Sequence, residues 1–173
     1  MNPDDLKASF PDAVHFPDEL RELCFWLGSN GYPISGSFEL QISGGKTVGY
    51  WFGHNRVTDR FGLFGAGPDG SLYGIWRQDD GRQPIVHMGS EGQNNSVLAG
   101  SFREFLRLLA IGYDEIGFDD LANPPAEASG RNPKFQRWVQ ERYLVTIPRC
   151  GTEITLPAQQ THETFQEWIE KNL

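Results

Sequence analysis

Ser101-Phe102-Arg103-Glu104-Phe105-Leu106-Arg107-Leu108-Leu109 is the stretch on which the reading of the fold turns. Ser101 and Glu104 stand three apart as a capping box, in which the serine oxygen takes one free amide of a helix start and the glutamate returns to another. Phe102, Phe105, Leu106 and Leu109 then recur at the spacing that places them on one helical face. Upstream of this point the period is two. Phe38, Leu40 and Ile42 alternate with polar residues, and β-like runs at 47–52, 60–64, 72–76 and 84–88 are separated by turn-forming glycines and aspartates. A meander followed by a capped helix predicts an α+β fold, with a mostly antiparallel, twisted sheet and helices packed on one face.

Three further helices are predicted. Pro17 suits a first helical position, and Leu20, Leu23, Cys24 and Leu27 follow on one stripe that ends at the glycines of 28–31. Asn132-Pro133 opens a helix carrying Phe135, Trp138 and Val139; Thr161 opens another carrying Phe165, Trp168 and Ile169. Residues 122–133, rich in Pro, Ala, Ser and Gly, read as a loop. The 173 residues fit one domain, with 112–173 a C-terminal extension to it, and no internal repeat is visible.

The formal charge of −8 disfavours nucleic acid, whose binding depends on Lys and Arg displacing counterions, and favours a basic partner. The charge is uneven along the chain. Residues 111–130 carry Asp114, Glu115, Asp119, Asp120 and Glu127 with no base, while Arg131, Lys134, Arg137, Arg142 and Arg149 stand against Glu141 alone in 131–149. These are either solvated faces or docking surfaces. Met1-Asn2-Pro3-Asp4-Asp5-Leu6 offers neither a basic leader nor an apolar run, and no stretch reaches the roughly 18 apolar residues a membrane span needs, so a soluble, cytoplasmic chain is expected. Cys24 and Cys150 are the only cysteines; Cys24 lies on an apolar helix face, which fits a reducing compartment.

Several motifs point to chemistry their surroundings do not support. Gly65-Ala66-Gly67-Pro68-Asp69-Gly70 matches the dinucleotide fingerprint, yet Ser71-Leu72-Tyr73-Gly74-Ile75-Trp76 reads as a strand where a helix must follow, and Pro-Asp-Gly is turn chemistry. Gly45-Lys46-Thr47 imitates the end of a phosphate loop, but Leu40 holds the place of the first glycine and a strand is again expected next. His15, His54, His87 and His162 show no metal-ligand spacing, and Ser90 is not set in a nucleophile elbow. No catalytic residue, no metal and no cofactor is therefore expected.

Pro17-Asp18-Glu19-Leu20 leading to Trp26-Leu27-Gly28-Ser29-Asn30-Gly31, glycine-rich strands ending in Tyr73-Gly74-Ile75-Trp76, and Pro84-Ile85-Val86-His87-Met88-Gly89-Ser90-Glu91-Gly92 before Ser101-Phe102-Arg103-Glu104-Phe105-Leu106 together resemble the SUKH superfamily. That superfamily includes Smi/Knr-type regulators of cell-wall synthesis and bacterial immunity proteins that silence toxins. The resemblance spans residues 17–109, rests on the order of the motifs, and departs after Gly112. It implies an α+β fold, no catalytic residues and a partner-binding surface that varies with the target. The expected function is that of a non-catalytic protein-binding module, an immunity protein that neutralises a basic, nuclease-type toxin. A regulator or scaffold without a toxin is the alternative, and a carboxylate-based hydrolase is a distant third. The expected partner-binding residues are Asp114, Glu115, Asp119 and Asp120, joined by Asp79, Asp80 and Glu91 from loops at the rim of the sheet. A monomer or weak dimer, with no membrane and no nucleic acid bound, completes the expectation.

Overall fold

In the computed structural model, residues 1–126, 131–162 and 164–173 are described. The chain opens with α1 (Pro3–Ala8), whose first turn is capped by the Asn2 side chain accepting from the Asp4 N–H. In α2 (Asp18–Asn30), Pro17 stands at the N-cap, and Leu20, Leu23, Cys24 and Leu27 are buried along one stripe as their spacing predicts. Burial pushes the Cys24 thiol up to about 11, so this side chain behaves as a small apolar group.

Five strands, β1 (Glu39–Leu40), β2 (Phe61–Ala66), β3 (Leu72–Trp76), β4 (Ile85–Met88) and β5 (Ser96–Ala99), form one sheet in chain order, each pair antiparallel. Successive connections therefore alternate between two ends of the sheet. The β2–β3 turn and the β4–β5 loop share one end, called here the near end; the β1–β2 and β3–β4 connections share the far end. On each edge strand a side chain engages a backbone group. The outward N–H of Leu40 on β1 donates to the Tyr32 hydroxyl, and the Gln159 amide donates to the Val97 carbonyl on β5.

The two faces carry separate cores. Phe64, Tyr73, Ile75, Ile85 and Leu98 pack with α2, α4 (Phe102–Ile111) and α5 (Pro133–Tyr143). Phe61, Leu63, Leu72, Trp76, Val86 and Met88 pack on the other face with α3 (Gly45–Phe52) and α7 (Phe165–Asn172), while α6 (Thr152–Thr161) lies against β5 and gives Ile154 to one core and Ala158 to the other. The α+β class and the antiparallel meander are as expected; the placing of all helices on one face is not. Its correction lies in β3 and β4, where every residue is buried, the mark of strands covered on both sides. The section after Gly112 supplies Phe135 and Val139 to the first core and Phe165, Trp168 and Ile169 to the second.

Residues 47–52, expected to be extended, are instead helical. Read with period two, Val48, Tyr50 and Phe52 would share a face; read as a helix, Val48 and Phe52 share it and Tyr50 points away. The burial decides for the helix: Val48 and Phe52 are buried and Tyr50 is 86% exposed. A helix thus does follow Gly45-Lys46-Thr47, and what separates that segment from a phosphate loop is Leu40, fixed in β1 where the first glycine would stand. Thr161 ends α6 rather than opening a helix, and Thr164 stands at the N-cap position of α7. No helix among the described residues is long and apolar enough to cross a membrane.

Candidate protein-docking site

The helix α4 begins at the far end, beyond β5. Its cap is a variant of the box: the Ser101 hydroxyl accepts from the Glu104 N–H at 3.3 Å, and the Glu104 carboxylate accepts from the N–H of Gly100. Ten residues at about 1.5 Å each carry the chain some 15 Å back along the sheet. Gly112, left-handed at φ +90, ends the helix, and residues 113–120 emerge at the near end. Two bonds hold this segment to the chain before β1: the Ser35 hydroxyl donates to the Tyr113 carbonyl and the Ser37 N–H to the Asp114 carbonyl.

There the segment meets β4. His87 is completely buried; its Nδ1 donates to the carbonyl of Asn94 at 2.8 Å, which leaves Nε2 as a lone pair with no hydrogen-bond partner among the described residues. Gly117 lies on that ring edge so closely that a Cβ at position 117 would sit 2.2 Å from Nε2. The next residue, Phe118, stands edge-on to the imidazole with centroids 6.0 Å apart and yet is 51% exposed. Asn94 adopts a left-handed φ of 58, which asparagine tolerates, and presents its carbonyl to the ring. Burial holds the His87 pKa below the usual histidine range, against the opposing pull of the Asn94 hydrogen bond and the Asp69 charge.

Carboxylates surround this point. Asp69, in the β2–β3 turn, accepts from the Ser71 N–H and, at 3.2 Å, from the Ser90 hydroxyl of the β4–β5 loop, which links the two near-end connections. Its slight burial would raise its pKa, but the bonds from Ser71 and Ser90 outweigh that and hold the carboxyl below its usual value. Glu91 follows Ser90 and is exposed. Burial pushes the Tyr73 phenol well up, and the charges of Asp69, Glu115 and Asp119 push it further, so three carboxylates act on one buried ring.

Of the expected partner-binding residues, Asp114, Glu115, Asp119, Asp120 and Glu91 belong to near-end segments. Asp119 also accepts from the Glu115 N–H, and Asp120 from the Ala122 N–H and the Asn123 side chain, so both carboxylates fasten their own turns. Asp79 and Asp80 do not join them: they lie in the β3–β4 connection at the far end, where Asp79 pairs with Arg60 at 2.7 Å and Asp80 with Arg82 at 2.6 Å. Glu127 lies outside the described residues. Asp69 and Phe118 were missed, although Pro68-Asp69-Gly70 reads as a turn and Phe118 stands beside the acids of its own segment. Among the described residues no group of three His, Cys, Asp or Glu could hold a metal ion.

The arrangement presents an exposed aromatic ring fixed from behind and bordered by carboxylates. Such a surface can bury an apolar anchor while its rim selects cationic partners. No family model, no curated protein and no solved structure matches this chain.

Proposed function

We propose that the chain is a non-catalytic protein-binding module that captures a basic protein through the near end of its sheet. In its most specific form the proposal is an immunity protein that neutralises a toxin of nuclease type. One observation carries the reading: Phe118 is half-exposed, braced against His87, and set in a segment that carries Glu115 and Asp119. A large ring left in solvent costs apolar hydration that folding alone does not recover, and a docked partner recovers it. A nuclease domain must itself be basic to hold phosphate, which matches this rim and the overall charge of −8.

The test is to read the open reading frames beside the chain's own gene for a basic nuclease-type toxin domain and to co-express the chain with it; neighbours that encode none favour a regulator or scaffold without a toxin. The expected outcome is a complex that survives gel filtration, suppresses the toxin's activity, and is lost on Phe118→Asp. A complex and a suppression indifferent to Phe118→Asp would move the interface elsewhere. Absence of any complex would favour a regulator or scaffold without a toxin.

A further inference from the structure

The alternation that buries Phe38 and Leu40 in the first core turns Ser37, Glu39 and Gln41 to the other face of β1. There they line a hollow of about 600 Å³ with Ala66 and Pro68 of the β2–β3 hairpin. Glu39 stands directly across from Ala66 in the sheet register, which places the hollow at the near end. The hollow exists because that cross-strand neighbour is small: a methyl group leaves open the space that a longer side chain opposite Glu39 would fill.

Glu39 lacks a counter-charge. Every Lys and Arg of the chain is among the described residues, and none of them pairs with this exposed carboxylate. Its charge is felt nearby at the Tyr32 phenol, which burial chiefly pushes up and Glu39 pushes further. The other groups around the hollow are neutral. The Ser37 hydroxyl and the Gln41 amide offer acceptors, and Ala66 and Pro68 an apolar wall. Glu39 and Gln41 are two residues apart in extended backbone, which separates their Cα atoms by about 7 Å. A guanidinium, with five N–H groups in a planar fork, spans two such acceptors better than a compact ammonium does.

We propose that this hollow seats an arginine side chain of the partner protein, its guanidinium donating to Glu39 and Gln41 and its methylene stem lying on Ala66 and Pro68. The proposal rests on the reading above that the near end captures a basic protein. The hollow adjoins the docking segment, since the Ser37 N–H donates to the carbonyl of Asp114, four residues before Phe118. A volume of this size holds one side chain together with the backbone that carries it.

Amide spectra of the isotopically labelled chain, titrated with a capped glycyl-arginyl-glycine peptide at constant ionic strength held with sodium chloride, test the proposal. Saturable shifts confined to residues 37–41 and 66–68 are expected. Affinity should fall at least about tenfold when citrulline, uncharged and of the same shape, replaces the arginine, and by as much for the arginine peptide against Glu39→Gln, since a charge-assisted bond is lost in both. Ala66→Leu, which fills the hollow and leaves the charge, should abolish the shifts, and its otherwise unperturbed spectrum shows that it folds. Shifts that do not saturate, that centre on 114–120, or that survive Glu39→Gln unchanged would overturn the site. Equal affinity for the lysine peptide would overturn the choice of arginine. Phe118→Asp should leave the peptide's affinity unchanged, so the two readings can fail separately. No peptide binding by a chain that still captures its partner sinks the hollow alone; peptide binding by a chain that captures no basic protein sinks the docking reading alone.

Discussion

His87 and Gly117 set the terms at the scale of single residues. A neutral imidazole fits the site because Nδ1 has its acceptor and Nε2 needs none; a protonated one would bring a second N–H into a buried place where no described residue accepts from it. The folded-state pKa of His87 is lowered, so the unfolded chain binds the proton more readily, and the group's contribution to stability is complete above the ordinary histidine value of 6.5 and is lost as pH falls below it. Urea midpoints measured from about pH 7 to about pH 5 should therefore drop more for the parent chain than for His87→Gln. Equal drops would mean that other groups carry the pH dependence. His162 shares the lowered direction, from burial and then the Arg82 charge, and is present in both proteins, so the difference isolates His87. Gly117→Ala tests the same contact by force: a methyl 2.2 Å from Nε2 requires the segment or the ring to move, at a cost of about 1–3 kcal/mol for overpacking, with the Phe118 signals shifted. A variant with unchanged midpoint and unchanged Phe118 signals would contradict the bracing of that ring.

At the scale of elements, α4 is held by aromatic contacts more than by its cap. Phe105 is fully buried among Phe38, Phe64, Tyr73 and Phe102, with ring centroids 5.4 to 5.9 Å away. Phe105→Ala should cost about 3–5 kcal/mol in denaturant unfolding, and a midpoint that barely moves would deny the packing of this helix on the sheet. The junction of α2 and α5 depends on Glu22, which accepts two bonds from the Arg142 guanidinium and one from the Tyr143 hydroxyl at 2.7 Å. The Arg142 hydrogen bond, chiefly, holds the Glu22 carboxyl below its usual range despite desolvation. Because Arg142 is well exposed, Glu22→Gln should cost only about 0.5–1 kcal/mol at neutral pH, with the difference from the parent fading in acid as the parent carboxyl is protonated. A constant difference across pH would show that charge is not what Glu22 contributes.

Elements with both a cap and a period were legible in the sequence: α2, α4 and α5 carry them, and β3 matches its apolar run residue for residue. Elements lacking one of the two were not. β5 is four residues long and abuts the cap of α4, so it has no room for an alternation; α6 holds Pro157 inside it, which reads as a break; α3 is short enough that period two and the i to i+4 spacing name the same apolar residues except Tyr50. Part of the site was legible for a similar reason. The acids of 114–120 fall within seven residues of one segment and needed only counting, whereas grouping Asp79 and Asp80 with Glu91 overlooked that consecutive hairpin connections emerge at opposite ends. Asp69 and Phe118 required the register that brings the β2–β3 turn beside the β4–β5 loop and lays Gly117 on His87.

The two ends of the sheet differ: Phe118 and the acids of its segment stand at the near end, while at the far end Asp79 and Asp80 are paired with Arg60 and Arg82. Exposed charges act over about 8 Å at physiological salt, so under the proposed function the near-end carboxylates should speed encounter with a cationic partner more than they deepen affinity, with Phe118 setting how long the partner stays. Glu91 and Glu115 are the carboxylates to change, because among the described residues neither side chain fastens a turn as Asp119 and Asp120 do. The decisive measurement is the association rate of a basic nuclease-type toxin domain, the partner proposed above, taken at two ionic strengths for the parent and for Glu91→Gln/Glu115→Gln. A slower association and a flatter salt dependence are expected for the variant, with folding stability unchanged; equal rates with equal salt slopes would remove the near end of the sheet from the interface.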